Sequence, residues 1–403
     1  MTNTVQPLGM RLRAVSIALA VAMVLVPTVA ATRAQAQTFK VLYTFTGGAD
    51  GAEPYANLIQ DANGNLYGTT LYGGASGYGT VFKLSKSDKE TVLHSFTGTG
   101  GDGTNPQAGL VRDAEGNVYG TTLYGGASAN GTVFKVSKTG KETVLYSFTG
   151  TGGDGATPVA GLLRDATGNL YGTTSAGGAY GFGTVFMLDK TGKETVLYSF
   201  TETGGDGLNP YAGLVRDAKG NLYGTTFGGG TSGDGTVFVV EKTGKEKVLH
   251  SFSGGADGGF PVYGYLVRDS AGNLYGTTEI GGASDRGTIF KLDKTGKETV
   301  LYSLADTGGD GEFPVAGLVR DAKGNLYGTT DGGGTSRDGT VFMLDKTGKE
   351  TVQYSFTGGS DGSGPVAGLV RDAAGNLYGI AAFGGDLSGC SGYGCGTVFK
   401  LTP

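Results

Sequence analysis

Residues 158–200 read PVAGLLRDATGNLYGTTSAGGAYGFGTVFMLDKTGKETVLYSF. Four short runs of β-forming residues lie in that stretch: PVAGLLRD (158–165), LYGTT (170–174), GTVFMLD (183–189) and ETVLYSF (194–200). The connections Ala166-Thr167-Gly168-Asn169 and Lys190-Thr191-Gly192-Lys193 carry the residues of tight turns, so the runs pair off as two hairpins. The G-N-[LV]-Y-G centre of the first hairpin recurs along the chain, with its tyrosine at Tyr67, Tyr119, Tyr171, Tyr223, Tyr275, Tyr327 and Tyr378. A unit of about fifty residues with four short strands cannot bury its apolar faces alone and must stack on neighbours. The fold class that follows is all-β: a seven-bladed β-propeller with four antiparallel strands per blade, named A to D from the axis to the rim.

The first strand-like segment of this pattern, Thr38 to Phe45, is a D strand, and the last, Gly396 to Leu401, is a C strand without a successor. Ring closure therefore requires strand 38–45 to complete the last blade. Along strand D, Val144, Tyr146 and Phe148 alternate with Thr143, Leu145 and Ser147, so neither face is purely polar, as suits a sheet packed between two others.

Residues 1–36 read as a signal peptide: Arg11 and Arg13, an apolar run from Ala14 to Ala31, and Ala34-Gln35-Ala36 before the cut. A retained anchor is the alternative, since about 18 apolar residues can span a bilayer; Pro27 and the small-residue exit favour cleavage. The propeller then occupies 37–403, in a secreted, periplasmic or cell-surface setting, with no membrane span in the mature chain and a monomeric state. The net charge of −5 becomes −8 once the three leader arginines are lost, which argues against nucleic acid and anionic membranes as partners. The 80 glycines sit at fixed places in the repeats and so read as turns and bulges rather than as low complexity.

D-G-x-x-P recurs in the D-to-A connections, at Asp50, Asp102, Asp154, Asp206, Asp257, Asp310 and Asp361. Seven carboxylates could hold a hard cation such as Ca²⁺, but an identical loop in every blade is better explained by Asp capping its own turn. Arg-Asp closes strand A at Arg112-Asp113, Arg164-Asp165, Arg216-Asp217, Arg268-Asp269, Arg320-Asp321 and Arg371-Asp372, with Gln60-Asp61 in the first copy. It reads as a turn cap plus an arginine paired with an acid. His94 and His250 replace a strand D tyrosine on the rim and cannot converge, which argues against a His-based triad or metal site.

Sites hide where copies differ. At the starts of the A strands the departures are Tyr55, Asn57, Gln107, Tyr211 and Tyr263, and at the starts of the B-to-C loops Tyr72, Tyr124 and Phe227. These are the candidate ligand-binding residues, amides and aromatic rings suited to a carbohydrate, peptide or protein partner outside the cell. No catalytic residue and no cofactor are expected. The B-to-C loop of the last copy is longer and holds Cys390 and Cys395, a spacing that predicts a local disulfide.

The alternation of D-G-x-x-P-x-A-G-L-x-R-D, G-N-L-Y-G-T-T, G-G-x-x-x-x-G-T-V-F and E-T-V-L-Y-S-F over residues 38–402 resembles the bacterial GloVer (choice-of-anchor) tandem-repeat family. That resemblance implies a propeller and an extracytoplasmic setting, and no activity or catalytic residue. The strand grammar is also similar to NHL-type propellers. The leading functional expectation is a non-enzymatic binding or scaffolding propeller, its ligand held on the face bearing the D-to-A and B-to-C loops. The alternatives are a lyase or lactonase-type propeller enzyme with an axial metal, and a structural surface or matrix component.

Overall fold

The computed structural model describes residues 1–2, 37–305, 307 and 309–402; the expected leader lies, but for its first two residues, outside them. Seven four-stranded antiparallel sheets follow one another along the chain. The third blade, for example, pairs Leu163–Arg164, Leu170–Thr174, Thr184–Leu188 and Glu194–Ser199 in that order. The strand A element of each blade is only two residues long, because the preceding segment runs along the axis without a ladder partner. Among the described residues no helix is long and apolar enough to cross a membrane.

The seventh blade is closed by the N-terminal strand. Thr38–Thr44 pairs antiparallel with Thr397–Thr402, from Thr38 opposite Thr402 to Thr44 opposite Thr397, and the Phe45 N–H donates to the Gly396 carbonyl at 3.0 Å. Phe39 then stacks on Tyr354 of the sixth blade, ring centroids 3.8 Å apart. The disulfide Cys390–Cys395 forms as expected. It sits against Gly47, where a β-carbon would meet both sulfurs, so the long loop of the last blade is fastened beside the closure strand.

The core is a set of interblade seams. The strand D phenylalanine of one blade meets the strand C phenylalanine of the next edge to face, as in Phe148 on Phe186 and Phe200 on Phe238, each pair at 5.1 Å. All four rings are fully buried, and burial of such a side chain contributes about 1.5–3 kcal/mol. The motif glycine of strand B makes room for the ring: a β-carbon at Gly172 would lie 2.7 Å from Phe186 Cζ.

The remaining motif residues form one polar joint per blade. Asp165 accepts from the N–H and side-chain amide of Asn169 and from the Tyr171 hydroxyl. Arg164 lies 5.6 Å from the Tyr119 ring centroid of the preceding blade, and Arg112, Arg216, Arg268, Arg320 and Arg371 repeat the arrangement. The sequence suggested that these arginines pair with an acid. Their principal partner is instead a tyrosine face, with Asp113 near enough to Arg164 to feel its charge. Where the first copy has Gln60, that side chain lies near enough to Tyr378, across the closure, to oppose the rise of its phenol.

Candidate functional site in the axial pocket

A pocket of about 220 Å³ opens at the axis on the face that carries the D-to-A and B-to-C loops. Five of the sequence candidates meet there: Tyr55, Asn57, Gln107, Tyr211 and Tyr263. Tyr211 stacks beside Tyr263 with centroids 6.0 Å apart and tilts against Phe227 at 5.3 Å, and Phe227 stacks in turn on Phe260 at 4.8 Å. Phe227 therefore backs the wall rather than lining it. Tyr72 and Tyr124 are exposed and stand outside the lining. Asn57 accepts from the Gly368 N–H, so its amide also ties the first blade to the last.

Two carboxyl groups join these residues. Glu279 and Asp331, each the first residue of a B-to-C loop in adjacent blades, line the same pocket. Being ringed by protein in a concave site raises the Asp331 carboxyl above the usual range. Glu279 is raised by burial and further by the charge of Asp331. Tyr55 is raised by burial and by the charges of Glu53 and Asp331, and Tyr263 is raised by burial, with the Gln107 side chain opposing the shift. Among the described lining residues none is Lys, Arg or His. The signal for the two acids was present in the sequence: the equivalent positions elsewhere are Leu71, Leu123, Ser175, Phe227 and Ala382, all uncharged.

A third feature closes the pocket from below. Aligned on their ladder partners, Val267 opposite Tyr275 and Leu163 opposite Tyr171, the blades place Asn57, Gly109, Gly161, Gly213, Tyr265, Gly317 and Gly368 at one level of the axis. The fifth copy has one extra residue between its proline and its Arg-Asp, PVYGYLVRD against PVAGLLRD. Tyr265 thereby takes a position that is glycine in five copies. Its backbone lies beside Gly317, its ring covers Gly213 and its hydroxyl reaches Gly161. Burial pushes its phenol up to about 12, partly offset by the adjacent Gly161 backbone. The insertion also breaks a ladder. Thr121 donates to the Ala160 carbonyl at 3.1 Å and Thr277 to Ala316 at 3.0 Å, whereas buried Thr225, next to the fifth blade, has no partner. An unmet buried hydroxyl costs about 1–3 kcal/mol.

The periodic aspartates do not converge. Asp206 accepts from the Thr201 and Gly207 N–H groups and from the Tyr198 hydroxyl, each at 2.8 Å. Asp50, Asp102, Asp154, Asp257, Asp310 and Asp361 likewise bind their own loops. Among the described residues one group of three His, Cys, Asp or Glu has donor atoms within 4.8 Å of one another: His94, Asp102 and Glu142 on the rim. Glu279 and Asp331 are not part of such a group.

Seven four-stranded blades around an axial pocket make this protein a seven-bladed β-propeller. The model of the Gloeobacter/Verrucomicrobia repeat matches residues 27–238 and 163–399, and the chain belongs to that repeat family. No curated protein matches it. Among solved structures it is similar to a gluconolactonase from Xanthomonas campestris, at 16% identity over 74% of this chain and 87% of that one, with a TM-score of 0.44. It is also similar to a putative 6-phosphogluconolactonase from Bacteroides uniformis, at 17% identity over 79% and 88%, TM-score 0.49. A third is a luciferin-regenerating enzyme, at 14% identity over 73% and 91%, TM-score 0.44. The expectation of a non-enzymatic binding or scaffolding propeller is not matched by these structures, which are named as gluconolactonases, two of them putative, and a luciferin-regenerating enzyme. Likeness of this depth brings no substrate and no residue role with it.

Proposed function

We propose that the protein is a hydrolase acting on a small, uncharged, polyhydroxylated cyclic ester in the axial pocket. The observation that supports this reading is the pair Glu279 and Asp331, two carboxyls lining one concave site whose proton affinities are both raised. Both carboxyls are raised by desolvation, and Glu279 further by the charge of Asp331. In this proposal Asp331 acts as the general base and Glu279, beside that charge, as the general acid.

Water attacks the ester carbonyl and gives a proton to Asp331. The ring C–O bond breaks as Glu279 protonates the departing oxygen, leaving a hydroxy acid; proton exchange with solvent restores both groups. Tyr211 and Tyr263 offer ring faces to an apolar sugar face, while Asn57, Gln107 and Tyr55 offer hydrogen bonds. Ring opening also suits a blind cup, because the product is a single molecule and no second ring has to be accommodated. The absence of cationic groups among the described lining residues favours an uncharged substrate over a phosphorylated one.

Export is part of the proposal. The Arg-led apolar leader over 1–36 and the Cys390–Cys395 disulfide support an oxidising, extracytoplasmic setting.

The test is pH-stat hydrolysis of glucono-1,5-lactone by residues 37–403. Glu279→Gln and Asp331→Asn should each lower kcat about 10²–10⁴-fold, with Tyr72→Phe, outside the pocket, unchanged. Full activity in both carboxamide variants would reject the assignment.

A further inference from the structure

We propose that Tyr265 is the specificity-determining floor of the axial pocket, confining it to single-ring substrates admitted from the loop face. The inference deepens the reading above and rests on that pocket being the active site.

Five glycines and Asn57 share the axial level with Tyr265, and glycine has no side chain to obstruct a channel. Without Tyr265 the pocket would continue along the axis between strand A backbones. With it, a phenol ring spans from the fifth blade over Gly213 to Gly161, held by its own strand beside Gly317 and with its hydroxyl against Gly161. The ring does not arise from the repeat. It comes with a one-residue insertion confined to the fifth copy, and the insertion leaves buried Thr225 without a partner. A departure that costs the scaffold a hydrogen bond, and whose visible effect is to seal the pocket, is the kind of local conflict expected where function rather than folding sets the residue. The obstruction is the ring itself, since its edge and not the hydroxyl covers Gly213.

Tyr265→Gly restores the residue found in five of the other six copies, and Tyr265→Phe keeps the ring while removing the hydroxyl. Calorimetric binding and pH-stat hydrolysis are compared for glucono-1,5-lactone and its two-ring counterpart, cellobiono-1,5-lactone. The wild type and Tyr265→Phe should prefer the one-ring probe at least about tenfold, and Tyr265→Gly should bring the ratio close to one. An unchanged ratio in Tyr265→Gly, with circular dichroism showing an intact fold, overturns the floor and leaves the catalytic assignment standing. Binding of the one-ring probe without hydrolysis overturns the catalytic assignment, and the binding ratio then decides on the floor. A wild type that binds neither probe, or both equally, overturns the floor as well.

Discussion

A β-carbon on Gly161 would overlap the hydroxyl of Tyr265, although the two residues belong to the third and fifth blades. The overlap at Gly213 is with the ring itself, near Cε1, so that position has less room to yield. Gly213→Ala should therefore destabilise the propeller by about 1–3 kcal/mol, the usual cost of overpacking. In a Tyr265→Gly background the same change should cost under about 0.5 kcal/mol. Urea denaturation of the four proteins forms the double-mutant cycle, and additive effects would show that the ring does not occupy the axis.

The arginine on tyrosine joints make a separate claim. Removing the guanidinium in Arg164→Ala should cost about 0.5–1 kcal/mol from the lost contact with Tyr119, plus the packing of its stem. Arg164→Lys should recover only part of this, because a lysine presents no planar face to the ring. Equal stability of the Ala and Lys variants in denaturant titrations would contradict the stacking account.

Stability should peak in mildly acidic solution. Glu90, Glu194, Glu246, Glu298 and Glu350 are pushed up to about 7 by burial and by the aspartate of the preceding blade. A carboxyl raised in the folded state binds its proton more tightly there than in the unfolded chain. Its contribution is thus complete below about pH 4.3, the unfolded value, and lost as the pH rises through about 7. Asp113, Asp165 and Asp217 behave oppositely: burial raises them, but hydrogen bonds from the turn outweigh it and lower them. Their contribution is present above about pH 3.9 and disappears in stronger acid. Tm measured from pH 3 to 9 should be highest between about 4 and 6, with the decline above pH 6 shallower after Glu194→Gln plus Glu246→Gln. A Tm that climbs steadily to pH 8 would contradict this.

Closure by the N-terminal strand is testable one residue at a time. Phe39 is half-buried between Tyr354, Phe356 and Phe399. Phe39→Ala should cost about 2 kcal/mol, roughly half the loss for a fully buried phenylalanine. Deleting residues 38–45 should abolish the cooperative transition. A deletion variant that melts like the parent would mean that the strand is dispensable.

The repeat made the blade count, the strand order and the closure legible, because each rests on spacing that the ladder must obey. The capping aspartates were legible for the same reason, and Asp206 and its six equivalents bind their own loops. What spacing concealed was the site. Glu279 and Asp331 lie a full blade apart in sequence and share a pocket only because the ring curves their loops toward one axis. Tyr265 was hidden by register: aligned on Pro261, the fifth copy offers Tyr263 at the variable position, while the ladder, aligned on Val267 opposite Tyr275, puts Tyr265 among the glycines. An insertion is invisible to motif offsets that absorb it in the neighbouring loop, as the shortened Gly254-Gly255-Ala256-Asp257 segment does here.

The pairing of Thr38–Thr44 with Thr397–Thr402 also orders events in time. A ribosome makes the closure strand long before its partner, so during synthesis that strand has an open edge and nothing to pair with. Six blades can assemble in sequence, but the seventh waits for the last strand made. Until then the molecule is an arc with two exposed blade faces, dependent on whatever keeps such edges apart, and its axis, with the pocket there, is completed in the final step of folding.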